Sequence, residues 1–314
     1  MLKSVLAQGL ALAGANAIAR RINRKGVTVL MYHGVMEDDF GLAEGDWLQV
    51  RASEFRSQMQ HLGRHYRAVP LERAWEGEDD GRPRVALTFD DGYANNFRVA
   101  FPILREFGFP ATVFLVTGAV GTRRLFWFDR LQIALGGRVA PAELKRIKED
   151  FKAGTHPHGI DDAVDTLLRG HPDAGTISAE AVEAYRPLSR EEIAEMAASG
   201  LVRFGSHTHR HEILTRLNQA EAERTLLQSL EILNTLPGYG GYFCFPNGGW
   251  APEHIPLCRR LGFEGAVLTR PGVWKDPADR FTIPRFGIGR GADAATFAAT
   301  VSGVLPRIQQ VLGR

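Results

Sequence analysis

The stretch ALTFDDGY (residues 86–93) sets two adjacent carboxylates, Asp90 and Asp91, directly after an apolar run with the make-up of a buried strand. Like charges side by side repel, and carboxylates are rarely buried without a partner. A turn is one reading, because Asp-Asp-Gly suits a turn after a strand. The other is that something binds the pair.

Outward from this stretch, strand-like runs alternate with helical patterns. VTVLMY (27–32) ends at His33, RVALTF (84–89) precedes the aspartates, and ATVFLV (111–116) follows a helical segment closed by Gly108. SREEIAEMAASG (189–200) opens on a Ser-x-x-Glu capping box, Ser189 to Glu192, and VRFGS follows as a strand. Asn218 and Glu221 repeat the capping pattern at the head of a long helix. YFCF, a helix near 252–261, GAVLT and a last helix from about Asp293 complete the order. Such alternation predicts a parallel sheet with helices outside, and periodicity leaves an open doubly wound sheet and a closed barrel both available. The interval 121–188 breaks the rhythm with an aromatic LFWFD and then polar sequence, and reads as an insertion.

The 314 residues suffice for one barrel-sized domain. Lys plus Arg number 38 against 36 Asp plus Glu, so the net charge of +2 carries no global signal for nucleic acid. Cys244 and Cys258 are too few for a disulfide framework or a thiolate metal site and read as small buried apolar residues. No run reaches the roughly 18 apolar residues that span a bilayer. Residues 1–25 have an early lysine, a mildly apolar middle and an Ala15-Asn16-Ala17 triplet, as in a signal peptide. Gln8 and Asn16 interrupt the apolar part, however, and Leu2, Val5, Leu6, Gly9, Leu10, Ala13 and Ala17 fall on one helical stripe. The reading preferred here is a retained amphipathic arm in peripheral contact with a membrane, ahead of a single domain at 26–314. The expected location is cytoplasmic or at the inner membrane surface, with secretion as the alternative.

FGSHTHRHEIL supplies a candidate for what binds the aspartates. His207 and His211 stand four apart, so their imidazoles share a face if the stretch turns helically. Two imidazoles and a carboxylate are a ligand set of zinc and similar divalent ions in open hydrolytic sites. Both motifs would lie at the C-terminal ends of parallel strands, where such folds place their chemistry. One aspartate can then hold the metal while its neighbour acts on water. Surface histidines are the alternative for HTHRH alone.

TFDDGY and SHTHRH resemble the first two motifs of the polysaccharide deacetylase, or NodB-homology, family, and the likeness runs from VLMYHGV to FTIPRFGIG. The resemblance implies a distorted (β/α) barrel of about seven strands and a divalent metal, zinc first, held by an Asp-His-His set. It also implies hydrolysis of N-acetyl groups on amino sugars of a polysaccharide, oligosaccharide or glycolipid. Carried over by position, Asp90 is the general base, and Asp91, His207 and His211 are the metal ligands; His209 falls between the matched positions.

YFCFPNGGW resembles a loosened third motif, in which the N–H of Asn247 would face an oxyanion and Trp250 would wall a sugar groove. The arginine of that motif is missing, and Arg285 in FTIPRFGIG is the replacement expected to orient the base. The family's C-terminal histidine motif is absent too: none of the ten histidines lies beyond His254. LMYHGV resembles instead the N-terminal Tyr-His element of the poly-N-acetylglucosamine deacetylase branch, which makes His33 the general acid. Asp279 is a weak candidate to hold that imidazole. Tyr93 and Trp127 are further candidates for substrate contact, with a small satellite core the preferred reading for Trp127 and Asp129. His61, His65, His156, His158, His171 and His254 read as surface or loop residues. The alternatives are an amidase or esterase on another acyl substrate and a non-catalytic glycan binder.

Overall fold

The computed structural model of the chain describes residues 14–77, 79–154 and 159–311, together with Gly9. Most of the proposed N-terminal arm before residue 14, and the histidines at 156 and 158, lie outside the described residues.

Eleven strands form among these residues: β1 (Val27–Tyr32), β2 (Gly34–Met36), β3 (Gln49–Arg51), β4 (Arg67–Ala68), β5 (Arg84–Phe89), β6 (Ala111–Leu115), β7 (Val202–Ser206), β8 (Tyr239–Cys244), β9 (Gly265–Val267), β10 (Val273–Trp274) and β11 (Phe286–Gly287). The main sheet follows a path of seven strands, β10-β1-β5-β6-β7-β8-β9, parallel from β1 to β9, with β10 antiparallel on β1. One segment ties its two ends together. Ile283 bridges Val267 at the end of β9, and three residues later β11 pairs in parallel with Leu30 and Met31 of β1. The sheet thus curls into a distorted barrel, joined at the C-terminal ends of its strands.

The two-residue period of the strands sorts their side chains. Val27, Val29, Ala86, Phe114, Tyr242, Cys244 and Val267 pack together inside the curl. Leu30, Tyr32, Leu87, Phe89, Val113 and Phe204 face outward onto the helices. The helices are α1 (Ala15–Asn23), α2 (Ala52–His65), α3 (Phe101–Phe107), α4 (Trp127–Leu135), α5 (Pro141–Ala153), α6 (Ile160–Gly170), α7 (Ala179–Tyr185), α8 (Arg190–Ala198), α9 (Gln219–Leu233), α10 (His254–Arg260), α11 (Ala294–Val301) and α12 (Val304–Val311), and the outward strand residues pack on α2, α3, α8, α9 and α11.

Both expected capping boxes are present, Ser189 with Glu192 ahead of α8 and Asn218 with Glu221 ahead of α9. The helix expected over 95–108 starts instead as a π-helical turn (Asn96–Ala100) running into α3. Pro102 has no N–H to give to the preceding turn, which favours such a local widening. The interval 121–188 carries α4 to α7, and Leu131, Leu135, Leu144, Ile147, Phe151 and Val164 form a small core of its own.

Candidate metal-dependent active site

Along β5 the inward set continues Ala86, Thr88, Asp90, so strand periodicity alone delivers Asp90 into the barrel mouth. Its backbone N–H donates to the Tyr32 carbonyl at 2.9 Å, which pins the strand end to β1. The same periodicity would send Asp91 to the opposite face. A left-handed φ of 70° at Asp91 turns it back, so both carboxylates serve one site. Gly92 follows at φ +75°, where a Cβ would lie 2.6 Å from Leu115 Cδ2.

Opposite, β7 carries Gly205 and His207 on its inward face, and a Cβ at Gly205 would meet the Phe114 ring at 2.6 Å. The HTHRH stretch is a tight turn and not a helix, with left-handed φ values at Thr208 (62°) and His211 (63°). The imidazoles meet all the same: the ring centroids of His207 and His211 are 4.9 Å apart. Asp91, Thr208, His211 and Asn247 are the only non-glycine residues with positive φ among the described residues. Backbone strain of this kind costs on the order of 1–3 kcal/mol per residue and gathers at functional sites.

Asp91 Oδ1 lies 3.4 Å from His207 Nε2 and 3.3 Å from His211 Nε2. It is buried and makes no well-formed hydrogen bond. His207 Nδ1 sits 2.9 Å from the Cys244 carbonyl, an acceptor only, so the proton belongs on Nδ1 and the Nε2 lone pair faces Asp91. A carboxylate oxygen and two imidazole nitrogens converging within 4.8 Å of one another fit a divalent cation. Burial opposes ionisation of Asp91; hydrogen bonds from the His207 and His211 rings in their protonated form would outweigh it and hold the carboxyl well below its usual range, and a cation at the same point would act in the same sense. Asp90, His207 and Cys244 also lie within reach of a common ion. They fit one poorly, because both Asp90 oxygens are engaged elsewhere and burial pushes the Cys244 thiol up, keeping it protonated.

Arg285 arrives from the segment that joins the sheet ends. Its Nη1 and Nη2 donate to Asp90 Oδ1 and Oδ2 at 2.7 and 2.8 Å, a two-pronged ion pair with the guanidinium fully buried. Nη1 also reaches Thr88 Oγ1 at 2.9 Å, Nη2 reaches Cys244 Sγ at 3.1 Å, and Nε donates to the Leu268 carbonyl at 3.0 Å. Every N–H of the guanidinium is thereby used. Burial works against the Asp90 carboxylate, yet Arg285 more than offsets it and keeps the carboxyl below its usual value.

His33, at the end of β1, is half-buried and its Nδ1 has no hydrogen-bond partner. Burial lowers its pKa, while Asp91 and Asp90 pull the other way from nearby. Trp47 stands edge-on to it at 5.9 Å with 55% of its surface exposed. Asn247 is exposed three residues beyond Cys244, and the turn uses the N–H groups of Gly248 and Gly249, leaving its own N–H outside those bonds.

Tyr93 as a substrate contact, Asp279 as a holder of His33 and His254 as a surface residue are corrected. Tyr93 is fully buried with its hydroxyl on Asp129 at 2.8 Å and offers no surface to a substrate. Trp127 stacks on Phe151 in the satellite core. Its neighbours in sequence reach the site instead, with Phe126 and Phe128 at 6.4 and 5.2 Å from the His211 ring. Trp250 packs partly buried near Phe245. Asp279 accepts from the N–H groups of Phe281 and Thr282 in its own turn, so it is engaged away from His33. His209 Nδ1 lies 3.2 Å from Thr117 Oγ1. His254 is buried, and its Nδ1 accepts from Ala251 N–H. Sequence reasoning missed Cys244, Trp47 and Phe128. For Cys244 the signal was its inward place on β8, one strand from His207.

A family profile described as polysaccharide deacetylase matches residues 77–266. The chain belongs to that family and is an enzyme of its hydrolase class. YxkH of Bacillus subtilis, named for the same family, is 21% identical over 279 residues, covering 87% of this chain and 75% of its own. The poly-beta-1,6-N-acetyl-D-glucosamine N-deacetylase of Staphylococcus epidermidis is 24% identical over 306 residues, covering 88% and 86%. The crystal structure of a Bacillus cereus polysaccharide deacetylase shares the fold with a TM-score of 0.59 at 22% identity, over 88% of this chain and 69% of that one.

Proposed function

We propose that this protein is a metal-dependent deacetylase that removes N-acetyl groups from the amino sugars of a glycan, with zinc as the first candidate ion. The observation that carries the reading is Asp91 Oδ1 facing two imidazole Nε2 atoms while Arg285 holds Asp90 beside it. Asp91, His207 and His211 would hold the cation. When bound, it polarises the acetyl carbonyl and makes water easier to deprotonate.

The chain's own groups do the rest. Asp90, ionised and aimed by Arg285, takes a proton from the attacking water, whose oxygen bonds to the acyl carbon. The N–H of Asn247 donates to the oxyanion that forms. The C–N bond breaks as His33 gives a proton to the departing amine, releasing acetate and a free amino sugar. Trp47 beside His33 provides an apolar wall for a sugar ring.

Acetate release from N-acetylglucosamine oligomers, O-acetylated xylan and a simple acetanilide tests the reading. Release should be fastest from the amino-sugar oligomers, stop after chelation and return with zinc, alongside uptake of one equivalent of metal that Asp91→Ala abolishes. Metal uptake without acetate release from any of these would favour a glycan binder. For His33, we expect His33→Gln to lower kcat by about 10²–10⁴-fold with KM little changed. Wild-type turnover in that variant would remove His33 from the reaction.

A further inference from the structure

We propose that the N-terminal end of the barrel docks on an anionic lipid bilayer through α1. This helix is seated with its polarity reversed. Its inward positions are polar: Asn16 and Asn23 are buried, Asn23 Nδ2 donating to the Ser302 carbonyl and Asn16 Oδ1 accepting from Ser302 Oγ. Its outward stripe, Ile18, Arg21 and Ile22, is exposed at i, i+3 and i+4 spacing, and exposed Lys25 follows in the turn after the helix. Ile18 and Ile22 are 61% and 60% exposed, the two highest values among exposed large hydrophobic residues described. A helix folding only for its own domain would turn these isoleucines inward. This one keeps them for something outside.

The charge beside them identifies the occupant. A groove of about 680 Å³ is lined by Arg20, Arg21, Arg24, Lys25, Arg64 and Arg82. Asp79 pairs with Arg24 and Asp80 with Arg82. Among the described residues no carboxylate forms an ion pair with Arg20, Arg21, Lys25 or Arg64. The field is felt next door: burial, then His65, Arg20 and Arg64, bring the His61 pKa down to about 4. Apolar side chains between cations on one helix face match the boundary of an anionic leaflet, where each basic residue adds attraction and the apolar groups enter below the headgroups. Residues 2–12 just upstream include Leu2, Val5, Leu6, Leu10 and Leu12, apolar sequence contiguous with the stripe.

The patch has a definite place relative to the chemistry. α1 leads into the start of β1, Arg64 precedes β4 and Arg82 precedes β5, so the basic face lies at the N-terminal ends of the strands. Asp90, His207 and Cys244 lie at their C-terminal ends. A protein seated by this face opens its site toward the aqueous side, to a chain that extends away from the bilayer.

Co-sedimentation of the full chain with vesicles tests this. Phosphatidylglycerol-containing vesicles should pull the protein down at low salt and release it at high salt, while pure phosphatidylcholine should not. Arg21→Gln and Lys25→Gln should each weaken partitioning about fivefold. Ile18→Ser with Ile22→Ser should weaken it at least about tenfold. All these positions are exposed and at the far end from the site, so acetate release from soluble oligomers should be unchanged, which also reports that the variants fold. Equal binding to pure phosphatidylcholine, or variants that bind like wild type, would overturn the proposal. So would tighter capture by an oligonucleotide or acidic polysaccharide than by vesicles, or a lipid-free dimer that Ile18→Ser with Ile22→Ser dissociates. Failure here leaves the deacetylase reading untouched.

Discussion

Asp90→Asn is expected to lower acetate release by about 10³–10⁴-fold, the upper part of the range for a lost general base, while metal content stays at the wild-type level. The two readouts separate because the two aspartates have different partners. Asp91 faces the imidazoles, whereas both oxygens of Asp90 are held by Arg285. An asparagine cannot take the proton, and its amide would leave one prong of the guanidinium without an anion. Some stability is lost as well, so turnover and metal uptake belong at a temperature where circular dichroism shows both proteins folded. Asp91→Asn should show the opposite pattern in its metal readout, losing the ion and turnover together. Wild-type turnover in Asp90→Asn would assign water activation to another group. Loss of metal from Asp90→Asn would mean that the pair shares the ion.

The parts of this site that follow from strand periodicity were legible in the sequence. β1, β5 and β7 coincide with the runs VTVLMY, RVALTF and VRFGS, and their ends carry His33, Asp90 and His207. What the two-residue period cannot convey is a reversal of direction at a single residue. Asp91, Thr208, His211 and Asn247 all adopt left-handed φ, and that set of turns folds neighbouring side chains into one mouth. The helical geometry expected for HTHRH failed for this reason, although the pairing of its histidines stands. For LFWFD the satellite-core reading holds at Trp127, which enters the insertion's own core, while its neighbours Phe126 and Phe128, which no local pattern marks, approach His211. Cys244 was read as an inert small residue because its inward place on β8 is all that marks it locally. Its importance comes from a carbonyl that orients His207 and a thiol that touches Asp90 and Arg285, both long-range facts.

Arg285→Met is expected to lower the unfolding free energy by about 3–5 kcal/mol, read as a lower urea midpoint at unchanged slope. The loss comes less from the interaction removed than from what remains: an ionised Asp90, 3% exposed, with no cation facing it. Arg285→Lys should fall between, since one ammonium cannot serve Thr88, Cys244, the Leu268 carbonyl and both Asp90 oxygens together. The decisive variant is Asp90→Leu with Arg285→Met. Removing both charges should recover most of that loss, leaving about 1 kcal/mol for each of Thr88 Oγ1 and the Leu268 carbonyl that lose a donor. The two single substitutions would then sum to clearly more than the double, because each alone strands a buried charge. Strict additivity would mean that Asp90 and Arg285 do not depend on one another. Recovery of stability with no recovery of acetate release would place the value of this buried pair in catalysis: a hydrophobic pair can fill the barrel mouth, but only an ionised carboxylate held at a fixed angle can accept a proton there.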